Sequence, residues 1–127
     1  MNKIITSLFL FFATTALHAA NFPDISVEDL QKAVLSKKVA VIDVNGPKSF
    51  AKGHIPGAIE FSKQKKNLQS LLPRKKDTLV VAYCGGPSCR AYLRGAKAAA
   101  ELGYTNVRHL SAGISGWKKA GQKVNQK

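Results

Sequence analysis

Two cysteines and an arginine stand close together in the run Cys84-Gly85-Gly86-Pro87-Ser88-Cys89-Arg90. A cysteine attacks or exchanges sulfur only as its thiolate, so the neighbours that favour the thiolate decide whether this run has chemistry. A helix is predicted to follow it from about Ala91, and the N-terminus of a helix carries partial positive charge. Gly85 and Gly86 let successive backbone N–H groups turn inward as an anion nest. Arg90, and Arg94 one helical turn later, add full charges. The cradle formed by Gly85, Gly86, Ser88, Cys89 and Arg90 would also hold an oxyanion, although Pro87 supplies no N–H to it. The chemistry these residue types suit is covalent catalysis at Cys84 on a small anionic substrate.

Cys89 has two readings. It could resolve an oxidised or sulfur-bearing Cys84 by forming a Cys84–Cys89 disulfide, or it could be a small buried residue facing the helix. The cysteines and histidines do not form the paired spacing of a structural zinc site, so no metal is expected. Asp43 is expected to anchor a loop through hydrogen bonds. His54 is expected to be structural too, given the rigid Pro56-Gly57 turn beside it. His109 has no acidic neighbour in sequence.

The elements that must position Cys84 are legible as alternating strands and helices. Ser26 can cap a first helix, with Leu30, Ala33 and Val34 at helical spacing and an end near Ser36-Lys37. The apolar runs Val39-Ala40-Val41-Ile42-Asp43-Val44 and Thr78-Leu79-Val80-Val81-Ala82-Tyr83 suit strands buried on both faces. A short helix is predicted over residues 48–51, a short strand over 59–61 and a helix over 67–72 stopped by Pro73. A further helix is predicted over residues 91–102, with Leu93, Ala96, Ala99 and Ala100 on one side. Gly103 is suited to end it in the left-handed conformation. Residues 107–110 read as a strand, and a last short helix carries Trp117. The tail after Gly121 reads as polar and frayed. This is an α/β domain with a mostly parallel central sheet flanked by helices. In such sheets ligands sit beyond the carboxyl ends of strands, where Cys84 falls.

Residues 1–20 stand apart. A basic start at Lys3, an apolar stretch to about Leu17 and small residues at Ala19 and Ala20 make up the layout of a cleaved secretory signal peptide. The apolar stretch is short for a bilayer span, so no stable membrane insertion is expected after cleavage. Residues 21–127 then form one domain, periplasmic or secreted. The full sequence of 127 residues carries 20 Lys+Arg against 7 Asp+Glu, a net +13. Such an excess draws anions. The lysines are spread without interleaved aromatics, and export argues further against nucleic acid as the partner.

Four segments, taken in order, resemble the rhodanese family: Val41-Ile42-Asp43-Val44, Gly53-His54-Ile55-Pro56-Gly57-Ala58, Tyr83-Cys84 with its glycine loop, and Gly113-Ile114-Ser115-Gly116-Trp117. The resemblance implies a sulfurtransferase with Cys84 as its catalytic residue and no metal or other cofactor. A sulfane sulfur would pass from a small anionic donor such as thiosulfate to Cys84 as a persulfide, then to a thiol or cyanide. An exported partner protein is a further class of acceptor. In three places the chain departs from the family pattern. Asn45-Gly46 stands where many members carry a charged residue, Ala112-Gly113 replaces the usual Gly-Gly, and the loop after Cys84 is longer than usual. Cys84-x5-Arg90 is the spacing of cysteine phosphatases, some of which, like certain arsenate reductases, share the fold. Phosphatase or arsenate reductase chemistry is therefore the alternative. A second alternative is a persulfide carrier or thiol redox module using Cys84 and Cys89 without turnover of small donors.

Overall fold

The computed structural model describes residues 22–127, so the predicted signal peptide lies outside the described residues. Four parallel strands form one sheet in the order β2-β1-β3-β4: β1 Val39–Asp43, β2 Ile59–Glu60, β3 Leu79–Tyr83 and β4 Val107–Leu110. The register pairs Ile42 with Ile59 and with Ala82, and Ala82 in turn with His109. Among the described residues, six α-helices connect and cover the strands: α1 Val27–Leu35, α2 Pro47–Lys52, α3 Phe61–Gln64, α4 Leu68–Leu71, α5 Tyr92–Glu101 and α6 Gly113–Lys119.

The two central strands are apolar except for Asp43 at the end of β1 and the hydroxyl of Tyr83 at the end of β3, because both faces are covered. Alternate residues of a strand point to opposite faces. Ile42, Val44, Val80 and Ala82 therefore pack on one side with Ala96 and Ala99 of α5, Leu68 and Tyr104. Val41, Val81 and Tyr83 pack on the other with Leu30 of α1, Ile55, Ile114 and Trp117. The alanine-rich face of α5 follows from close approach. A Cβ on Gly95 would lie 2.9 Å from Ile42 Cγ2 and 3.0 Å from Val44 Cγ2, so α5 lies on β1 and β3 only where its side chains are minimal. Gly95, Ala96 and Ala99 are its buried residues, while Leu93 and Ala100 pack at the margin.

Local rules set several boundaries. Ser26 Oγ accepts the Asp29 N–H at 3.0 Å and opens α1; side-chain caps of this kind satisfy one of the free donors at a helix start. Gly103 ends α5 at φ +96°, the left-handed residue expected there.

The sequence reading fails in three places and is silent on a fourth, the segment before α1. The helix expected over residues 67–72 is shorter, Leu68–Leu71, and a 3-10 turn at Lys65–Asn67 joins it to α3, which was not expected. Phe61 opens that helix and does not extend β2. Asp24 forms a bridge with His109 beside β4, and Ile25 N–H donates to His109 O at 2.9 Å, so the N-terminal lead-in extends the sheet edge. The tail is docked and not frayed. Asn125 and His54 exchange backbone hydrogen bonds at 2.9 and 3.0 Å, and Trp117 Nε1 donates to Lys123 O at 2.9 Å. Lys127 Nζ stands 3.1 Å from the buried Glu60 carboxylate.

Candidate active site

Strand order reverses between β1 and β3. The chain leaves β1 toward β2 on one edge and leaves β3 toward β4 on the other. This is the crevice at which open parallel sheets bind ligands, and Cys84 follows β3 directly into it. Cys84 is 3 % exposed.

The loop is held at three points. Cys84 O accepts the Ile114 N–H at 2.9 Å and Gly85 O accepts the Ser115 N–H at 3.0 Å, which pins its first residues to the start of α6. Gly113 makes that contact sterically permissible, since its φ is +63° and a Cβ there would sit 2.5 Å from Gly85 C and Gly86 N. At the far side, Cys89 N–H donates to Gly86 O at 3.0 Å. That closes a turn over residues 86–89 with Pro87 in its second position, where the fixed φ of proline favours it. The turn folds Cys89 back on Cys84, and the two form a disulfide with Cα atoms 6.2 Å apart. The pairing left open by the sequence is thus present in the structure.

Among the described residues, the N–H groups of Gly85, Gly86 and Ser88 are not donated to backbone carbonyls. Gly85 and Gly86 are half-buried and Ser88 is exposed. Arg90 is exposed beside them, and α5 begins two residues later at Tyr92. Arg94 is also exposed but serves a neighbouring cavity of about 190 Å3, lined by Val44, Gly46, Phe61, Ser62, Lys65 and Arg94. Cys84, Cys89 and Arg90 are not in its walls. Asn45 lies between the two: its Oδ1 would be 3.8 Å from a Cβ on Gly85, and its buried Nδ2 has no hydrogen-bond partner.

Beneath the loop, Asp43 accepts the Asn45 N–H at 2.8 Å and the Tyr83 hydroxyl at 2.5 Å. The Tyr83 hydroxyl accepts the Ile55 N–H at 3.0 Å. One buried network therefore ties the ends of β1 and β3 to the turn that follows His54. Burial pushes the Asp43 carboxyl above its usual range, against the opposing pull of its Tyr83 and Asn45 hydrogen bonds and of His54. Burial and the Asp43 carboxylate together push the Tyr83 hydroxyl far up, which keeps it a protonated donor. His54 stacks on Phe50 at 3.7 Å and bonds Phe50 O through Nδ1 at 2.8 Å, so it belongs to the turn and does not face the cysteines. His109 has no acidic neighbour in sequence but meets one in space. Its Nε2 is 3.9 Å from Asp24 Oδ1, and its ring stacks on Tyr92 at 4.2 Å. Tyr83, Gly113 and Asn45 were not read from sequence as positioning residues. The positive φ and close approach at Gly113 are the kind of demand a glycine signals.

The family model for the rhodanese-like domain matches residues 26–120, from the cap of α1 to the end of α6. The chain belongs to the rhodanese-like domain family. Thiosulfate sulfurtransferase GlpE of Shewanella oneidensis is 31 % identical over 104 residues, covering 80 % of this chain and 97 % of that protein. The thiosulfate sulfurtransferase of Pseudomonas aeruginosa superposes with a TM-score of 0.69 at 25 % identity, over 84 % of this chain and 20 % of that longer one. The human single-domain sulfurtransferase TSTD1 shares the fold, with a TM-score of 0.61 at 24 % identity, over 78 % of this chain and 97 % of that one. This rhodanese-like domain thus has thiosulfate sulfurtransferases among its relatives, which supports sulfur transfer at the level of the family.

Proposed function

We propose that this chain is an exported thiosulfate sulfurtransferase with Cys84 as the sulfur-carrying residue. The single observation behind the reading is the position of Cys84, buried in the crevice one residue beyond β3 on a loop in which the Gly85, Gly86 and Ser88 N–H groups are not donated to backbone carbonyls. With the disulfide reduced, the Cys84 thiolate attacks the outer sulfur of thiosulfate. The sulfur–sulfur bond of the donor breaks, its electron pair leaves with sulfite, and Cys84 holds a persulfide. A thiol or cyanide then attacks the outer sulfur and returns the Cys84 thiolate, giving two covalent half-reactions. Gly85, Gly86, Ser88 and Arg90 would receive the sulfonate end of the donor, because free N–H groups and a guanidinium are the donors an oxyanion needs; Cys89 leaves the expected set, since its N–H is already donated to Gly86 O. None of these steps requires a metal. The excess of lysine and arginine favours anionic donors, and the leader-like residues 1–20 support a periplasmic or secreted location.

The test is thiocyanate formation from thiosulfate and cyanide by the reduced protein, with Cys84→Ser and an aryl phosphate alongside. Thiocyanate that depends on Cys84 is the expected outcome. Cleavage of the phosphate ester without thiocyanate would instead establish the phosphatase alternative.

A further inference from the structure

We infer that Cys89 is a resolving nucleophile that turns the sulfur carried on Cys84 into free hydrosulfide, leaving the Cys84–Cys89 disulfide. The inference rests on the Cys84 persulfide of the preceding section and extends it. Sulfur would leave the chain as sulfide, with its reducing electrons supplied by a dithiol.

The loop is built for this exchange. Cys84 is held by its own carbonyl and that of Gly85 on α6, while Cys89 is delivered by the Pro87 turn. Cα atoms 6.2 Å apart lie within the range that a disulfide spans, so the bond forms with the anchored stem and turn both in place. A structural staple gains most by closing a long loop. This bond joins residues only five apart in sequence, inside a loop that the α6 hydrogen bonds already fix. Its position on the sulfur-carrying residue is the feature that calls for a chemical role.

The step balances. The Cys89 thiolate attacks Cys84 Sγ of the persulfide, the bond from Sγ to the outer sulfur breaks, and its electron pair leaves on that sulfur as hydrosulfide. The sulfane sulfur gains two electrons and the dithiol becomes the disulfide. Attack on the outer sulfur would first move the persulfide to Cys89. Return attack by Cys84 on Cys89 Sγ then gives the same products. A dithiol reductant, small or protein-borne, restores both thiols and is itself oxidised. Accessibility sets the direction of that second exchange. Cys84 is buried and Cys89 half-buried, so an incoming thiolate meets Cys89 and Cys84 departs.

The experiment uses the reduced full chain freed of excess reductant and mixed with thiosulfate, no cyanide being present. Sulfite, sulfide and the disulfide are followed together, the last by tryptic mapping. Sulfite reports loading of Cys84, whereas sulfide and the Cys84–Cys89 peptide report resolution. The expected result is about one sulfide per sulfite released, with the disulfide formed in parallel. In Cys89→Ser that ratio should fall at least tenfold, and the extra sulfur should stay on the Cys84 peptide. An equal sulfide-to-sulfite ratio in the two proteins would overturn the inference, as would wild-type protein that releases sulfite yet keeps its persulfide. Absence of sulfite from both would remove the sulfurtransferase reading, and this inference with it.

Discussion

Asp43 and Tyr83 face each other as register partners on adjacent parallel strands, and the tyrosine hydroxyl donates to the aspartate across 2.5 Å. The pair sits at the carboxyl ends of the two central strands, with Tyr83 one residue before Cys84. Because Tyr83 also receives the Ile55 N–H, the aspartate, the loop after His54 and the base of the cysteine loop are joined through one hydroxyl.

Tyr83→Phe removes that hydroxyl while keeping the ring in its apolar surroundings. It leaves a buried carboxylate short of a donor and a buried N–H without its acceptor. Hydrogen bonds to charged groups contribute about 1.5–3 kcal/mol, and an orphaned buried group costs a further ~1–3 kcal/mol. Urea unfolding should show a loss of roughly 2–4 kcal/mol with an unchanged slope. A loss within experimental error would mean that the network does not hold the two strand ends.

The same aspartate gives a pH dependence of known sign. Its carboxyl is raised in the fold, chiefly by burial, so the native state binds the proton more tightly than the unfolded chain. The contribution of such a group is complete below the unfolded carboxylate value of about 3.9. It is lost as pH rises through the higher native value. Wild-type stability should therefore decline relative to Asp43→Asn as pH rises from about 4. Urea midpoints for both proteins across the mildly acidic range measure the difference in slope, and parallel curves would show that Asp43 does not titrate in this way.

Gly113→Ala tests the clamp on the cysteine loop. At φ +63° an alanine is strained by about 1–2 kcal/mol, and its Cβ would also stand 2.5 Å from the backbone of Gly85 and Gly86. Backbone cannot swing aside as a side chain can, so overpacking adds roughly 1–3 kcal/mol or the loop moves. Gly57→Ala is the matched control, with φ +80° and nothing within 4 Å of the added Cβ. Sulfite release from thiosulfate should fall sharply in the first variant and little in the second, with Gly113→Ala also the less stable. Equal behaviour would mean that conformational strain alone, not loop contact, sets the requirement at Gly113.

Much of this architecture is readable along the chain. The β-branched apolar runs of β1 and β3 declare strands covered on both faces, and the Gly103 stop declares the end of α5. The place of Cys84 past a central strand follows from these. What escapes the sequence is pairing between polar residues far apart. Asp24 with Ser111 and His109, Asn125 with His54, and Lys127 with Glu60 carry no periodicity, and the tail looks frayed for that reason. Tyr83 reads as one more apolar strand residue because its hydroxyl finds its partner only across the sheet. The turn of residues 86–89 is different. Pro87 reads in sequence as a lost donor, and the structure shows it bending Cys89 onto Cys84.

Arg90 and Arg94 are both exposed cations at the start of α5, yet they serve different surfaces. Arg90 adjoins the free N–H groups of the loop, whereas Arg94 shares with Lys65 the walls of the neighbouring cavity. A charge beside the reacting sulfur should hold the donor anion directly, and one in the next cavity should act only through the general positive field. Exposed charges more than about 8–10 Å from their target are screened at ordinary ionic strength. Arg90→Ala should therefore raise KM for thiosulfate by about tenfold, equivalent to ~1.4 kcal/mol, and lose part of the salt dependence of kcat/KM. Arg94→Ala should change KM by about twofold or less. Kinetics of both variants at two ionic strengths decide the matter. A larger effect at Arg94 would move the donor site from the lip of the cysteine loop into the cavity beside Asn45.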